Sequence, residues 1–112
     1  MADIQRATGP DGIDRLLAEY EVDVLVSPSG PIMPVVNENG PDNWPRWAGA
    51  GYLAAVAGYP HLTVPMGFVD GVPLGLSFMS TAGKDADVLS FGYDYERASM
   101  MRRDPPLTLT TE

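Results

Sequence analysis

The 112-residue sequence contains no cysteine and a single histidine, His61. Without cysteine, disulfide bonds and thiol catalysis are excluded, while the redox environment of the protein stays open. A zinc site would need three or more carboxylates in place of the usual histidine and cysteine ligands. We therefore expect neither a metal centre nor another cofactor.

Basic residues are also scarce, since 7 Lys and Arg stand against 15 Asp and Glu, for a net charge of −8. An acidic surface repels nucleic-acid phosphates and anionic lipids, so we expect no nucleic-acid or membrane partner. No apolar run approaches membrane-spanning length, and the first residues lack the apolar core of a signal peptide. These absences make a cytoplasmic location the default expectation.

What the chain does contain is 45% hydrophobic residues with 12 Gly and 11 Pro, which is typical of one globular domain rich in turns. Periodicity predicts helices over residues 10–21, 46–57 and 84–100, and strands over 22–27, 62–66 and 73–79. Residues 28–45 contain five prolines and several apolar side chains, so we expect a long loop that packs against another part of the protein. The order of the elements indicates the α/β class.

Two short sequence features predict how the last two strands are arranged. Asp70-Gly71 is a strong hairpin signal between the last two predicted strands. Pro65 has no N–H to donate to a neighbouring strand, so its strand lies at a sheet edge or bulges there.

Few residues are candidates for catalysis. His61 could act as a base, but no G-x-S-x-G motif presents a serine to it, and a histidine bonded to the backbone at a strand edge is the more common arrangement. Gly49-Ala50-Gly51 lacks the preceding strand, the third glycine and the lysine of phosphate-binding loops. The residues alone therefore predict α/β elements and no catalytic machinery.

Five short motifs follow one another in the second half of the chain. They are Ala57-Gly58-Tyr59-Pro60, Val64-Pro65-Met66-Gly67, Asp70-Gly71, Gly75-Leu76 and Tyr93-Asp94-Tyr95-Glu96. Together with the helix-to-strand passage before the long loop, residues 10–106 resemble the C-terminal end of the amidase signature hydrolases. The sequence of residues 57–67, A-G-Y-P-H-L-T-V-P-M-G, is most similar to the peptide-amidase-like branch of the family.

The resemblance implies a fold. Residues 1–106 are expected to form one partial domain, the C-terminal portion of the amidase signature fold, in which helices flank a mixed β-sheet. Two or three long helices, an N-terminal strand and a β-hairpin belong to this portion. The resemblance makes residues 28–45 a pocket loop and leaves residues 107–112 as a tail.

The resemblance also implies a function. The family hydrolyses amide C–N bonds with a Ser–cis-Ser–Lys triad, but this sequence has no Gly/Ser-rich signature, and Lys84 opens a late helix in a different context. No catalytic residue is carried over. We expect the C-terminal piece of an amidase, inactive unless a triad-bearing N-terminal part joins it in cis or as a second chain. The alternative is a free-standing, non-catalytic α/β module that self-associates or binds a partner.

Two substrate-binding positions follow from the same resemblance, because the family lines part of its acyl pocket from the helix before A-G-x-P. They fall on Ala48 and Tyr52, four residues apart on one helical face. In the glutaminyl-tRNA amidotransferase branch the first position is an Asp that holds the substrate's amino group, and an Asn precedes A-G. Here these positions are Ala48 and Ala55, so the resemblance does not support recognition of free glutamine.

Overall fold

A computed structural model describes residues 2–34, 37–41 and 49–106 of the chain. In chain order, its elements are α1 (Ala2–Thr8), a π-helical turn (Gly9–Ile13), α2 (Asp14–Glu19), β1 (Leu25–Pro28), α3 (Gly51–Ala57), β2 (His61–Val69), β3 (Val72–Met79) and α4 (Asp85–Ser99). The predicted α/β class is confirmed. Residues 46–48, the start of the predicted middle helix, lie outside the described residues.

The first helical segment begins earlier than the sequence pattern predicts. The prediction that Pro10 starts the helix is wrong, because α1 already runs from Ala2 and Pro10 lies inside the π-helical turn. There the N–H of Asp14 bonds the carbonyl of Gly9, five residues back. Such a wide turn accommodates a proline ring that would clash with a carbonyl in a regular α-helix. The helix therefore continues through Pro10 instead of beginning there.

The three described strands form one antiparallel sheet in the order β1-β3-β2. The predicted hairpin is confirmed: Val69 pairs with Val72, and Asp70 and Gly71 between them have φ of 51° and 79°. Both values lie in the left-handed region, as a type I′ turn requires. The tight turn fixes the register that β2 and β3 share.

Both expectations for Pro65 hold in the structure. The strand that contains it, β2, is an edge of the described sheet. The pairing also shifts between Pro65, opposite Gly75, and Gly67, opposite Leu74, so that a bulge interrupts the ladder. The bulge and the edge position remove the need for an N–H at Pro65.

One face of the sheet packs against α4. Val64 and Phe78 of the sheet and Val88 of α4 are buried together, and the rings of Phe78 and Tyr95 are 5.8 Å apart. Gly92 brings the helix close, since a Cβ there would lie 2.2 Å from a methyl group of Leu62. These contacts account for the apolar side of α4.

The other face of the sheet packs against the N-terminal helical segment and α3. Ile13, Ala54 and Met79 are buried there. The hydroxyl of Tyr59 donates a hydrogen bond of 2.6 Å to the carboxylate of Asp14, and this bond raises the pKa of Tyr59. Helices therefore cover both faces of the sheet, which gives the described residues a core on each side.

The loop after β1 is only partly described, because residues 35–36 and 42–48 lie outside the described ranges. Ile32 and Met33 within it are 45% and 58% exposed. The described residues leave these two apolar side chains exposed, and the packing expected for them stays a prediction.

None of the helices among the described residues is both long and apolar enough to cross a membrane.

Candidate functional site

The helix α3 carries one of the two predicted substrate-binding residues. Tyr52 lies in its first turn and is 61% exposed, whereas Ala54 on the same helix is fully buried against the sheet. Ala48 lies outside the described residues. Tyr52 is therefore not a core residue of the described fold, and the structure does not test whether Ala48 and Tyr52 share a pocket.

A group of hydroxyl and imidazole side chains lies on the sheet face that α3 covers. We call Ser29, His61, Thr63 and Ser77 the polar cluster. Ser77 is at its centre and is fully buried, with its Oγ 2.6 Å from Oγ of Ser29 and 2.6 Å from Nε2 of His61. Thr63 completes the group, with its Oγ1 3.3 Å from Ser29 Oγ and 3.4 Å from Ser77 Oγ.

Strand register and a missing side chain bring the polar cluster together. Thr63 pairs with Ser77 across the sheet, and His61 lies two residues before Thr63, so all three side chains point to one face. Gly75 separates Thr63 from Ser29, and a Cβ at Gly75 would lie 2.6 Å from Cγ2 of Thr63 and 2.9 Å from Oγ of Ser29. The Gly75-Leu76 motif therefore allows hydroxyl groups from different parts of the chain to meet over β3.

The main chain of Ser29 links the polar cluster to the start of α3. Its N–H donates to the carbonyl of Gly75 at 2.8 Å, and its carbonyl accepts the N–H of Ala50, also at 2.8 Å. Gly49, with φ of 117°, approaches that carbonyl so closely that a Cβ would lie 2.6 Å from the oxygen. On the other side, a Cβ at Gly51 would lie 3.4 Å from Cε1 of His61. The Gly49-Ala50-Gly51 segment is thus a site of close backbone packing.

The backbone hydrogen bond favoured for His61 is not found among the described residues, where its Nε2 bonds the hydroxyl of Ser77 instead. The sequence signal was the spacing by two residues, His61 and Thr63 on one strand and Gly75 and Ser77 on the next, which places each pair on one face of its strand. The G-x-S-x-G motif presents a serine on a turn between a strand and a helix, so its absence says nothing about a serine within a strand, such as Ser77.

The Ser77–His61 pair nevertheless lacks what nucleophilic catalysis requires. A catalytic serine must reach the substrate, and its base is held in place by a third group. Ser77 is fully buried and is bonded to Ser29 as well. Within the described ranges, no carboxylate forms a hydrogen bond with His61, and no group of three or more His, Asp or Glu residues could hold a metal ion. The polar cluster is suited to fixing the positions of its members.

Comparisons with known proteins identify the family. Residues 5–89 match the amidase family. A glutamyl-tRNA(Gln) amidotransferase chain of Synechococcus sp. is 36% identical over 97 residues, which cover 84% of this chain and 19% of that protein. The peptide amidase of Stenotrophomonas maltophilia is 41% identical, with a TM-score of 0.77, over 96% of this chain and 21% of that one. A peptide amidase solved with the competitive inhibitor chymostatin is 42% identical, with a TM-score of 0.86, over 95% of this chain and 21% of that one.

The fold and the match together define an α/β segment of an amide-hydrolase family. The chain belongs to the amidase family, and the resemblance drawn from its motifs is confirmed. It spans about a fifth of the length of the relatives it matches, 19% of the amidotransferase chain and 21% of the peptide amidase.

Proposed function

We propose that this chain forms one wall of the substrate pocket in a hydrolase of amide C–N bonds. The nucleophile and its activating base come from residues outside this 112-residue sequence, either on the same polypeptide or on a second one. The observation that carries the proposal is the TM-score of 0.86 and 42% identity to a peptide amidase over nearly the whole chain. Amides of peptides are the substrates we would assay first.

The chemistry of the described residues is the reason for placing the nucleophile and its base outside this sequence. Hydrolysis through a covalent intermediate needs an exposed nucleophile next to a base. The described serine that contacts the imidazole is buried, and the sequence contains no Gly/Ser-rich signature. The chain is therefore expected to have no amidase activity by itself.

The pocket wall is assigned to the helix before A-G-Y-P, with Ala48 and Tyr52 as the residues that contact substrate. The exposure of Tyr52, at 61%, supports this assignment, because a pocket-lining side chain is uncovered when the rest of the pocket is absent. A core tyrosine would be covered by the described residues themselves.

A second candidate is a free-standing module without catalytic activity, which self-associates or binds a partner. The observation that favours it is that helices cover both faces of the sheet, so that the chain has a core on each side. In this case the edges at β1 and β2 would pair with another chain.

Complementation tests the two candidates. The peptide amidase of S. maltophilia is produced without the fifth that matches this chain, and ammonia release from a peptide amide is measured with and without added chain. We expect neither polypeptide to hydrolyse the amide alone and the mixture to do so. A mixture that forms a complex but stays inactive would favour the non-catalytic module. Hydrolysis by this chain alone that disappears in His61→Ala would overturn the proposal and make the histidine catalytic.

A further inference from the structure

Ser77 has two short hydrogen bonds and one long one within the polar cluster. A hydroxyl group donates one hydrogen bond and accepts two. The oxygen of Ser77 has Ser29 and His61 at 2.6 Å and Thr63 at 3.4 Å. Because Ser77 is fully buried, water cannot replace a lost partner. The hydroxyl group of Ser77 therefore joins the side chains of Ser29 and His61, whose backbones are both held by β3, at Gly75 and Met79.

Ser29 and His61 in turn hold the same short segment from two sides. The carbonyl of Ser29 accepts the N–H of Ala50 at 2.8 Å, and the ring of His61 lies against Gly51. Because Gly49 and Gly51 have no side chains, the carbonyl of Ser29 and the ring of His61 can come close to their backbone. The position of residues 49–51 thus depends on both neighbours of Ser77.

The helix α3 begins at Gly51 and has no side chain that caps it, since Ala50 precedes it. Helix starts are usually fixed by a serine, threonine, aspartate or asparagine at that position. Here the backbone just before the helix is held instead by the hydrogen bond from the N–H of Ala50 to the carbonyl of Ser29 and by the contact of Gly51 with His61. Tyr52 is the second residue of α3, so its position follows directly from that of the segment.

We propose that Ser77 is a positioning residue that sets how α3 presents Tyr52 to the substrate, acting through Ser29 on one side and His61 on the other. The effect on substrate choice rests on the function proposed above, whereas the effect on α3 rests only on the contacts just described. Ser77 itself does not contact the substrate.

The chain alone tests the structural half of the proposal. Ser80→Ala is a matched control, because Ser80 is also buried and loses one hydrogen bond, to the carbonyl of Asp23 at 2.9 Å, outside the polar cluster. We expect Ser77→Ala to shift the amide resonances of Gly51 and Tyr52 and the ring nitrogens of His61 in NMR spectra, and Ser80→Ala to leave them in place. Equal shifts in both variants would overturn the proposal.

A second variant covers the case in which Ser77→Ala does not fold. His61 is exposed, so His61→Ala removes one neighbour of the segment without opening the core. We expect the Gly51 and Tyr52 resonances to shift in this variant as well. If they stay at the wild-type positions, His61 does not hold the segment and the proposal is overturned.

The complemented enzyme tests the functional half. The measurement is the ratio of kcat/KM for two peptide amides that differ in the size of the side chain next to the amide. We expect Ser77→Ala to change this ratio about 3- to 10-fold, less than the 10- to 200-fold that a direct pocket contact can contribute, and Ser80→Ala to leave it unchanged. An unchanged ratio in an active Ser77→Ala enzyme would overturn the effect on substrate choice. If no mixture is active but the resonances shift as expected, the proposed function fails and the positioning role stands.

Discussion

At the scale of single residues, Gly75 has the clearest physical role. It lies in β3 between Ser29 and Thr63, and the absence of a Cβ lets their hydroxyl groups approach to 3.3 Å. Glycine weakens a strand because it has no side chain to pack and a large conformational entropy when unfolded. Its presence here is explained by the close approach, which no other residue permits.

Gly75→Ala should therefore destabilise the chain although alanine is the better strand residue. A Cβ 2.6 Å from Thr63 forces the strands or side chains to move, and such overpacking costs about 1–3 kcal/mol. Gly30→Ala is the control, because a Cβ at Gly30 would lie more than 4 Å from the atoms of the described residues other than its chain neighbours. Urea unfolding measures both variants, and a Gly75→Ala chain as stable as Gly30→Ala would contradict the packing described for the polar cluster.

From the sequence, one member of the polar cluster could be singled out and another could not. His61 stood out as the only imidazole, and the chain shows it bonded to a serine. The serine itself could not be singled out, because Ser77 becomes special only when register places it opposite Thr63 and next to Ser29, 48 residues away in the chain. Residue type alone carries no information about such pairing.

At the scale of elements, the features that the sequence predicts are those set by the backbone preferences of a few residues. The hairpin and the bulge follow from Asp70-Gly71 and Pro65, whose backbone preferences are fixed by their own covalent structure. The N-terminal helix was predicted from Pro10 onward, because proline usually marks a first turn. A π-helical turn lets the helix run through it, and Ile13 at the end of that turn is buried in the core.

The hairpin turn offers a test with a matched pair of substitutions. Gly71→Ala places a Cβ on a residue with φ of 79°, and a left-handed backbone costs an L-residue about 1–2 kcal/mol. Asp70→Asn keeps the preference of the first turn position for the left-handed region. We expect thermal unfolding to show a lower Tm for Gly71→Ala and little change for Asp70→Asn. A Gly71→Ala chain with unchanged Tm would mean that the turn is not of type I′.

At the scale of the whole molecule, the described chain has covered sheet faces and open sheet edges. β1 and β2 are the outer strands of the described sheet, and apolar side chains such as Val26 and Ile32 are 51% and 45% exposed near β1. Unpaired strand edges with apolar neighbours readily pair with another chain. The motifs predicted the family, whereas the proposed pocket also needs residues that this sequence does not contain.

We therefore expect the isolated chain to form an oligomer, with pairing through β1 or β2. The net charge of −8 opposes association, but exposed charges are screened beyond about 8 Å at physiological salt. Light scattering at tens of micromolar measures the molar mass, and Val26→Lys should lower it if β1 is the edge in contact. Leu89→Lys, at an exposed position on α4, serves as the control. A monodisperse wild-type monomer would show that the edges stay unpaired in solution.

The central claim, that this chain forms the wall of an amidase pocket, is tested most directly by substrate preference. In the complemented enzyme, Tyr52→Ala should change the kcat/KM ratio for a bulky and a small peptide amide by about tenfold or more. Because Tyr52 is 61% exposed, the same substitution should change the free energy of unfolding of the chain by only about 0.5 kcal/mol. An unaltered ratio together with a loss of about 3 kcal/mol, the cost of truncating a core aromatic residue, would contradict the account.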